Sequence, residues 1–127
     1  MNHTGYIVFG HGSSIESAND AVRAMANGLA ERGGYENVIT AFLEGGQPNL
    51  ADAVTQLSDR GIKQIIVIPY FLTLGMHLQR DLPKLADEAR AAHPGIAIEI
   101  TPPLDGHPAL AEALLGRAKE ALARVSC

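Results

Sequence analysis

Short runs of β-branched and aromatic residues alternate along this chain with longer segments whose apolar residues recur at helical spacing. The short runs are bounded by glycine, proline or polar residues, which is typical of strands. They predict strands at 6–9, 38–43, 65–72 and 96–100. Apolar residues three or four positions apart predict helices that include 22–29, 50–57, 82–89 and 110–125.

The strict alternation of four strands with four helices predicts an α/β fold. Helices of this length can cross over between parallel strands, and the first three strands have the near-continuous apolar character of strands buried on both faces. We expect a three-layer αβα sandwich with a four-stranded parallel sheet in the order 2-1-3-4 and helices on both faces. A length of 127 residues, 46% of them hydrophobic, predicts a single domain over 1–127.

Glycine, proline and serine mark the expected helix ends, because glycine favours C-caps, proline the first turn and serine the N-cap. The glycines at expected C-caps are Gly33, Gly34 and Gly61. The prolines expected in first turns are Pro48, Pro83 and Pro108. Ser13 and Ser14 are predicted to cap the first helix rather than to act as nucleophiles.

Charge and cysteine content restrict the partners. The formal net charge of -4 gives no basic surface for a phosphate backbone, which argues against nucleic acid. Cys127 is the single cysteine, so no disulfide or CxxC metal site can form within one chain. No apolar run approaches the roughly 20 residues of a membrane-spanning helix. We therefore expect a soluble, cytoplasmic protein without a membrane partner.

The loops after the strands hold the candidate chemistry, because ligands of open parallel sheets bind beyond the carboxyl ends of the strands. These loops contain His11, Glu44, His77 and His107. Two imidazoles and a carboxylate suit a divalent metal such as iron, cobalt, nickel or zinc, with positions left open for exchange. The strand order makes the loops of His11 and His77 neighbours, so both imidazoles are predicted to face one cavity with Glu44 nearby.

Other features of these loops have plainer explanations. Glu44 could be a solvated carboxylate, and His107, which precedes a proline at a helix start, could simply cap that helix. Segment 10–12 begins like a dinucleotide-binding fingerprint, but Ile15 stands where the third glycine is required. Gly75, like the glycines beside His11, is expected to turn the backbone sharply and leave the nearby imidazole uncovered. No bound nucleotide is expected.

Three motifs follow the first three strands. They are Gly-His-Gly-Ser at 10–13, Ala-Phe-Leu-Glu at 41–44 with Gln-Pro at 47–48, and Pro-Tyr-Phe-Leu at 69–72 leading through Gly-Met-His at 75–77 to Asp-Leu-Pro at 81–83. In this order they resemble the small CbiX/SirB-type class II chelatases, which insert cobalt, iron or nickel into sirohydrochlorin or related tetrapyrroles. Members of that family often carry arginine where Ser14 stands and glycine where Met76 stands.

The resemblance implies an ATP-independent lyase for which a divalent metal (Co²⁺, Fe²⁺ or Ni²⁺) is a substrate, in cobalamin or sirohaem biosynthesis. His11 and His77 would act as metal ligands and proton acceptors, with Glu44 as their acidic partner. The residues expected to contact the tetrapyrrole are Ser13, Ser14, Arg80 and His107. Short members of the family work as homodimers with the macrocycle between equivalent lobes, so a homodimer is expected.

Two other functions fit the same residues. A non-catalytic carrier could use the histidines to bind a tetrapyrrole or metal and hand it over. A metal-dependent hydrolase could activate water on a bound ion. Repeated turnover with sirohydrochlorin and metal distinguishes a chelatase from a carrier, and ester turnover without a tetrapyrrole would favour the hydrolase.

Overall fold

The structure, a computed structural model, describes residues 3–125, and Cys127 lies outside this range. Strands and helices alternate through it as the sequence predicts. The strands are β1 (Thr4–Gly10), β2 (Val38–Phe42), β3 (Gln64–Pro69) and β4 (Ala97–Ile100). The helices are α1 (Glu16–Gly33), α2 (Leu50–Asp59), α3 (Met76–Ala92) and α4 (Pro108–Val125). None of the described helices is long and apolar enough to cross a membrane.

The four strands form one parallel sheet in the order β2-β1-β3-β4, which confirms the predicted topology. Ile7 of β1 is aligned with Ile39 of β2 and with Val67 of β3. All strands therefore end at one edge of the sheet, here called the carboxyl edge. The loops that leave β1, β2 and β3 are neighbours along this edge.

The larger part of the core lies on the face of the sheet covered by α2 and α3. Ile7, Phe9 and Val67 pack there against Leu57 of α2 and Leu82 of α3, and all five side chains are buried. Helix α1 covers the opposite face over β1 and β2. Helices thus lie on both faces of the sheet, and the burial of apolar area against it supplies the main favourable term in folding.

The helix ends agree with the sequence in part. Gly34 and Gly61, with φ of +65° and +82°, follow α1 and α2 as C-terminal glycines should, and Pro108 begins α4. The prediction for Pro48 was wrong, because Asn49 is the N-cap of α2 and its side chain accepts a hydrogen bond from the N–H of Asp52. A side-chain acceptor satisfies a free helical N–H, which proline cannot do.

Helix α3 begins earlier than predicted. Pro83 lies inside it rather than in its first turn, and the apolar face formed by Leu78, Leu82, Ala86 and Ala89 is buried in the core on both sides of the proline. This packing offsets the hydrogen bond that the proline ring removes. The prediction of serine caps for α1 was also wrong, because the N-cap position is occupied by Ile15 and no side chain caps the helix.

Candidate active site

The loops after β1 and β2 stay paired beyond the ends of their strands. The N–H of Leu43 donates to the carbonyl of Gly10, and the N–H of Glu44 donates to the carbonyl of His11, both at 3.0 Å. On the other side of β1, the N–H of Tyr70 donates to the carbonyl of Phe9 at 2.8 Å. These backbone bonds fix His11 beside Glu44 at the carboxyl edge.

Two glycines allow this close approach of the loops. Gly12 has φ of +88°, and a Cβ there would lie 1.5 Å from the carbonyl oxygen of Glu44. Gly45 has φ of +71°, and a Cβ there would lie 2.8 Å from the carbonyl carbon of Ser13. Any larger residue at either position would push the loops apart, so the glycines serve the backbone geometry that holds His11 and Glu44 together.

A buried amide in the first turn of α1 clamps the same two loops. Asn19 is 1% exposed. Its Oδ1 accepts from the N–H of Ser13 at 2.9 Å, and its Nδ2 donates to the carbonyls of Ser13 at 2.9 Å and Gly45 at 3.1 Å. Sequence patterns alone did not identify Asn19, because one partner is 26 residues away. The sequence feature that could have identified Asn19 is the presence of a polar residue on the inner face of an amphipathic helix.

An ion pair on α1 adjoins this clamp. Arg23 donates to Glu16 and Asp20, and its guanidinium lies 5.3 Å from the centre of the Phe42 ring. The hydrogen bond from Arg23, together with one from Asn19, lowers the pKa of the Glu16 carboxyl below its usual value. Glu16 in turn raises the pKa of Arg23. The pair places a carboxylate in the first turn of α1, where the helix dipole favours it.

His11 presents one ring nitrogen for chemistry. The side chains of His11 and Glu44 are 59% and 71% exposed, and Nε2 of His11 lies 3.8 Å from Oε1 of Glu44. Nδ1 lies 3.2 Å from the carbonyl oxygen of Gly12. Because a carbonyl oxygen can only accept, Nδ1 carries the hydrogen in this contact, and in the neutral ring Nε2 keeps its lone pair. Nε2 can therefore accept a proton or bind a metal beside a carboxylate.

His77 shares a pocket with His11. The pocket has a volume of about 280 Å³, and Leu43 and Phe71 contribute apolar walls to it. The predicted juxtaposition of the two imidazoles at one cavity, with Glu44 nearby, is thus observed. His77 lies in the first turn of α3 rather than in a loop, and Gly75 before it has an ordinary φ of -66°. The sharp turn expected at Gly75 was wrong.

The early start of α3 brings a further carboxylate to this pocket. Asp81 lies four residues after His77 and lines the same cavity, because residues four apart share a helix face. The sequence prediction placed 73–81 in a loop. In a loop, the four-residue spacing of His77 and Asp81 does not indicate that the two side chains share a face. Among residues 3–125, no group of three or more histidine, cysteine, aspartate or glutamate side chains is arranged to hold a metal ion. The three-ligand set His11, His77 and Glu44 remains a prediction.

The residues predicted to contact the macrocycle from the loop after β1 and from α3 differ in their exposure and in their hydrogen bonds within the chain. Ser13 has its N–H bonded to Asn19, and its Oγ accepts from the N–H of Ile15 at 3.0 Å. Ser14 and Arg80 are exposed, and Arg80 lies on α3 three residues after His77. Ser14 and Arg80 are therefore the two of these residues best placed to meet a ligand that approaches the carboxyl edge.

His107 lies apart from the His11–His77 pocket. Its Nδ1 accepts from the N–H of Ala109 at 3.0 Å, so it caps α4 as the plainer of the two sequence interpretations expected. It also lines a different, largely apolar cavity of about 600 Å³ together with Leu72 and Leu114. A role for His107 in ligand binding remains a prediction.

Comparison with known proteins identifies the family. The CbiX family model matches residues 5–121. The chloroplastic sirohydrochlorin ferrochelatase of Arabidopsis thaliana is 31% identical over 121 residues, or 95% of this chain and 54% of the relative. The sirohydrochlorin cobaltochelatase of Sulfurisphaera tokodaii is 33% identical over 118 residues, or 93% of each chain.

The fold agrees with this result. A crystal structure of a CbiX protein from Marinobacter aquaeolei matches with a TM-score of 0.85 at 30% identity, and covers 95% of this chain and 98% of that chain. This chain spans about half the length of the Arabidopsis relative (54%) and most of the length of the Sulfurisphaera relative (93%). The resemblance carried by the three loop motifs is confirmed, and the chain belongs to the CbiX family of chelatases.

Proposed function

We propose that this protein inserts a divalent metal ion, cobalt or iron, into sirohydrochlorin, as its named relatives do. Nickel is a third candidate, because imidazole and carboxylate ligands accept several first-row ions. The observation that carries the proposal is the pocket at the carboxyl edge that His11 and His77 line together. Its position is where parallel α/β sheets bind ligands.

The chemistry of insertion matches these side chains. Two pyrrole N–H protons must leave the macrocycle while the incoming ion loses water. A neutral imidazole can accept a proton or bind the ion, and in the neutral form of His11, with Nδ1 bonded to the carbonyl of Gly12, that nitrogen is Nε2. Glu44, whose Oε1 lies 3.8 Å from that nitrogen, would stabilise the protonated ring. In this scheme His77, which lines the same pocket, acts as the second base or ligand, and no nucleotide takes part.

The size of the pocket supports a homodimer. At about 280 Å³ it is smaller than the roughly 300–1,000 Å³ of ordinary ligand sites, and a tetrapyrrole is wider than most ligands of such sites. One chain can therefore cover only one face of the macrocycle. We propose that two copies enclose it, with Ser14 and Arg80 meeting its carboxylates through hydrogen bonds and charge.

The test is a parallel insertion assay with sirohydrochlorin and Co²⁺, Fe²⁺ or Ni²⁺, followed by absorbance. The variants are His11→Ala, His77→Ala and Glu44→Gln. His93→Ala is the matched histidine control, because His93 follows the far end of α3 and is bonded to Thr55. Each active-site histidine variant should lower kcat by about 10²–10⁴-fold, the usual contribution of a proton-transfer group, with the fold intact by circular dichroism.

Normal kinetics in both histidine variants would overturn the roles assigned to these residues. Stoichiometric binding of metal or macrocycle without repeated turnover would overturn the chelatase proposal in favour of a carrier. The metal with the highest kcat/KM identifies the preferred substrate among the three ions.

A further inference from the structure

Met76 is a large apolar residue that the fold leaves in solvent. It is 77% exposed. It is the first residue of α3, and the buried face of that helix begins two residues later at Leu78. Two residues correspond to about 200° around a helix, so Met76 points away from the core. The packing of the fold therefore does not require an apolar side chain at this position.

Met76 nevertheless belongs to the candidate active site. It lines the same cavity of about 280 Å³ as His11 and His77. Space is open beside it, because a Cβ at Gly75 would meet no atom within 4 Å beyond its own chain neighbours. A side chain that both lines the cavity and is exposed lies at the opening, where a ligand that covers the cavity would reach it.

The first two turns of α3 carry two adjacent rows of side chains. Residues four apart share a helix face, so His77 and Asp81 form one row, and both line the cavity. Met76 and Arg80 form the next row, and both are exposed. The helix thus presents an apolar side chain beside a cation, next to the imidazole of His77.

This order of side chains matches the layout of a tetrapyrrole. The nitrogens that take the metal lie at the centre of the ring, the flat conjugated face surrounds them, and the carboxylates lie at the periphery. Because the cavity is smaller than ordinary ligand sites, the ring must lie across its opening and meet the exposed side chains there. Methionine suits that contact, since its flexible, polarisable thioether packs favourably on aromatic rings.

We propose that Met76 packs against the face of the macrocycle, between His77 at the centre of the ring and Arg80 at a peripheral carboxylate. The inference deepens the proposed function, because it rests on a tetrapyrrole as the substrate. Met76 binds the ring and takes no part in proton transfer or metal binding. Such a contact is made equally in the ground state and the transition state, so it lowers the KM for the macrocycle and leaves kcat unchanged.

The test compares Met76→Gln, which keeps the length of the side chain but makes its end polar, with Met76→Leu, which keeps it apolar. Glutamine and leucine are both good helix formers, so neither should disturb the start of α3. Binding of metal-free sirohydrochlorin is measured by absorbance titration, and insertion kinetics are measured with Co²⁺. Met25→Gln on α1 is the matched control, because Met25 is 52% exposed and does not line the cavity.

Met76→Gln should raise both the Kd and the KM for sirohydrochlorin by about 5–30-fold, the loss expected when part of an apolar side chain is no longer buried by the ligand. Its kcat and its KM for Co²⁺ should equal those of the wild type. Met76→Leu and the Met25→Gln control should bind the macrocycle as the wild type does.

Unchanged macrocycle binding in Met76→Gln, or equal weakening in Met76→Leu, would overturn the apolar contact. A higher KM for Co²⁺ would also overturn it, because Met76 would then act on the metal. A wild type that binds sirohydrochlorin without repeated turnover, while Met76→Gln weakens that binding, would overturn the chelatase proposal and leave the contact of Met76 standing. A wild type that does not bind sirohydrochlorin would overturn both.

Discussion

Asn19 holds together the two loops that carry the proposed catalytic residues His11 and Glu44. It is buried, and its amide satisfies three backbone groups on the two loops that carry His11 and Glu44. Leaving such groups without partners costs about 1–3 kcal/mol each, and a small displacement of reacting groups can lower a rate by about 10²-fold. We therefore expect Asn19 to position the proposed catalytic pair rather than to contact the substrate.

We predict that Asn19→Ala lowers kcat for metal insertion by about 10–100-fold with a nearly unchanged KM for the macrocycle. The loops would lose their fixed spacing, so amide hydrogen exchange should accelerate at Ser13, whose N–H loses its acceptor, and at Glu44, whose N–H bonds the facing loop. Asn27→Ala is the matched control, because Asn27 is an exposed asparagine on the same helix. A folded Asn19→Ala protein with wild-type kcat and unchanged exchange would show that the clamp is not needed for positioning.

The position of the candidate residues at one edge of the sheet could be predicted from the sequence, whereas the contacts that hold their loops could not. His11, Glu44 and His77 follow strands, and the topology of a parallel sheet brings such positions to one edge. The clamp of Asn19 on Gly45 depends on how two loops meet after folding. Asp81 enters the pocket only because α3 starts at Met76, a boundary that the proline-based prediction placed later.

At the scale of elements, strands were easier to predict than helix ends. The strands are apolar runs with glycine or proline at their ends, and burial on both faces leaves few alternatives. A helix end depends on one capping residue or on tertiary packing, and either can override local preference. Asn49 at the start of α2 is an example of the first, and Pro83 inside α3 is an example of the second.

The N-cap of α4 gives a prediction that separates capping from ligand binding at His107. His107→Ala removes the acceptor of the Ala109 N–H, which should cost α4 about 0.5–2 kcal/mol and accelerate amide exchange at 109–111. Exchange in the sheet should not change. His107→Asn should restore protection, because asparagine is a good N-cap. If both variants weaken sirohydrochlorin binding equally, His107 contacts the ligand as well as capping the helix.

At the scale of the whole molecule, the core that stabilises the fold is separate from the loops that carry the proposed catalytic residues. Leu57, Ile62 and Gly5 meet near the start of β1, at the end of the sheet opposite the His11–His77 pocket. The loops at the carboxyl edge are held by Asn19 and by backbone bonds.

This separation predicts that Leu57→Ala destabilises the protein without changing its chemistry. Leu57 is fully buried, and truncation of such a leucine costs about 2–5 kcal/mol. Denaturant unfolding should therefore show a lower midpoint with an unchanged slope. Leu57→Met, which nearly preserves volume, should cost less than about 1.5 kcal/mol. Under conditions where both variants stay folded, kcat for insertion should equal that of the wild type. A decrease as large as that expected for Asn19→Ala would mean that the positions of His11 and Glu44 depend on the whole core rather than on the clamp beside them.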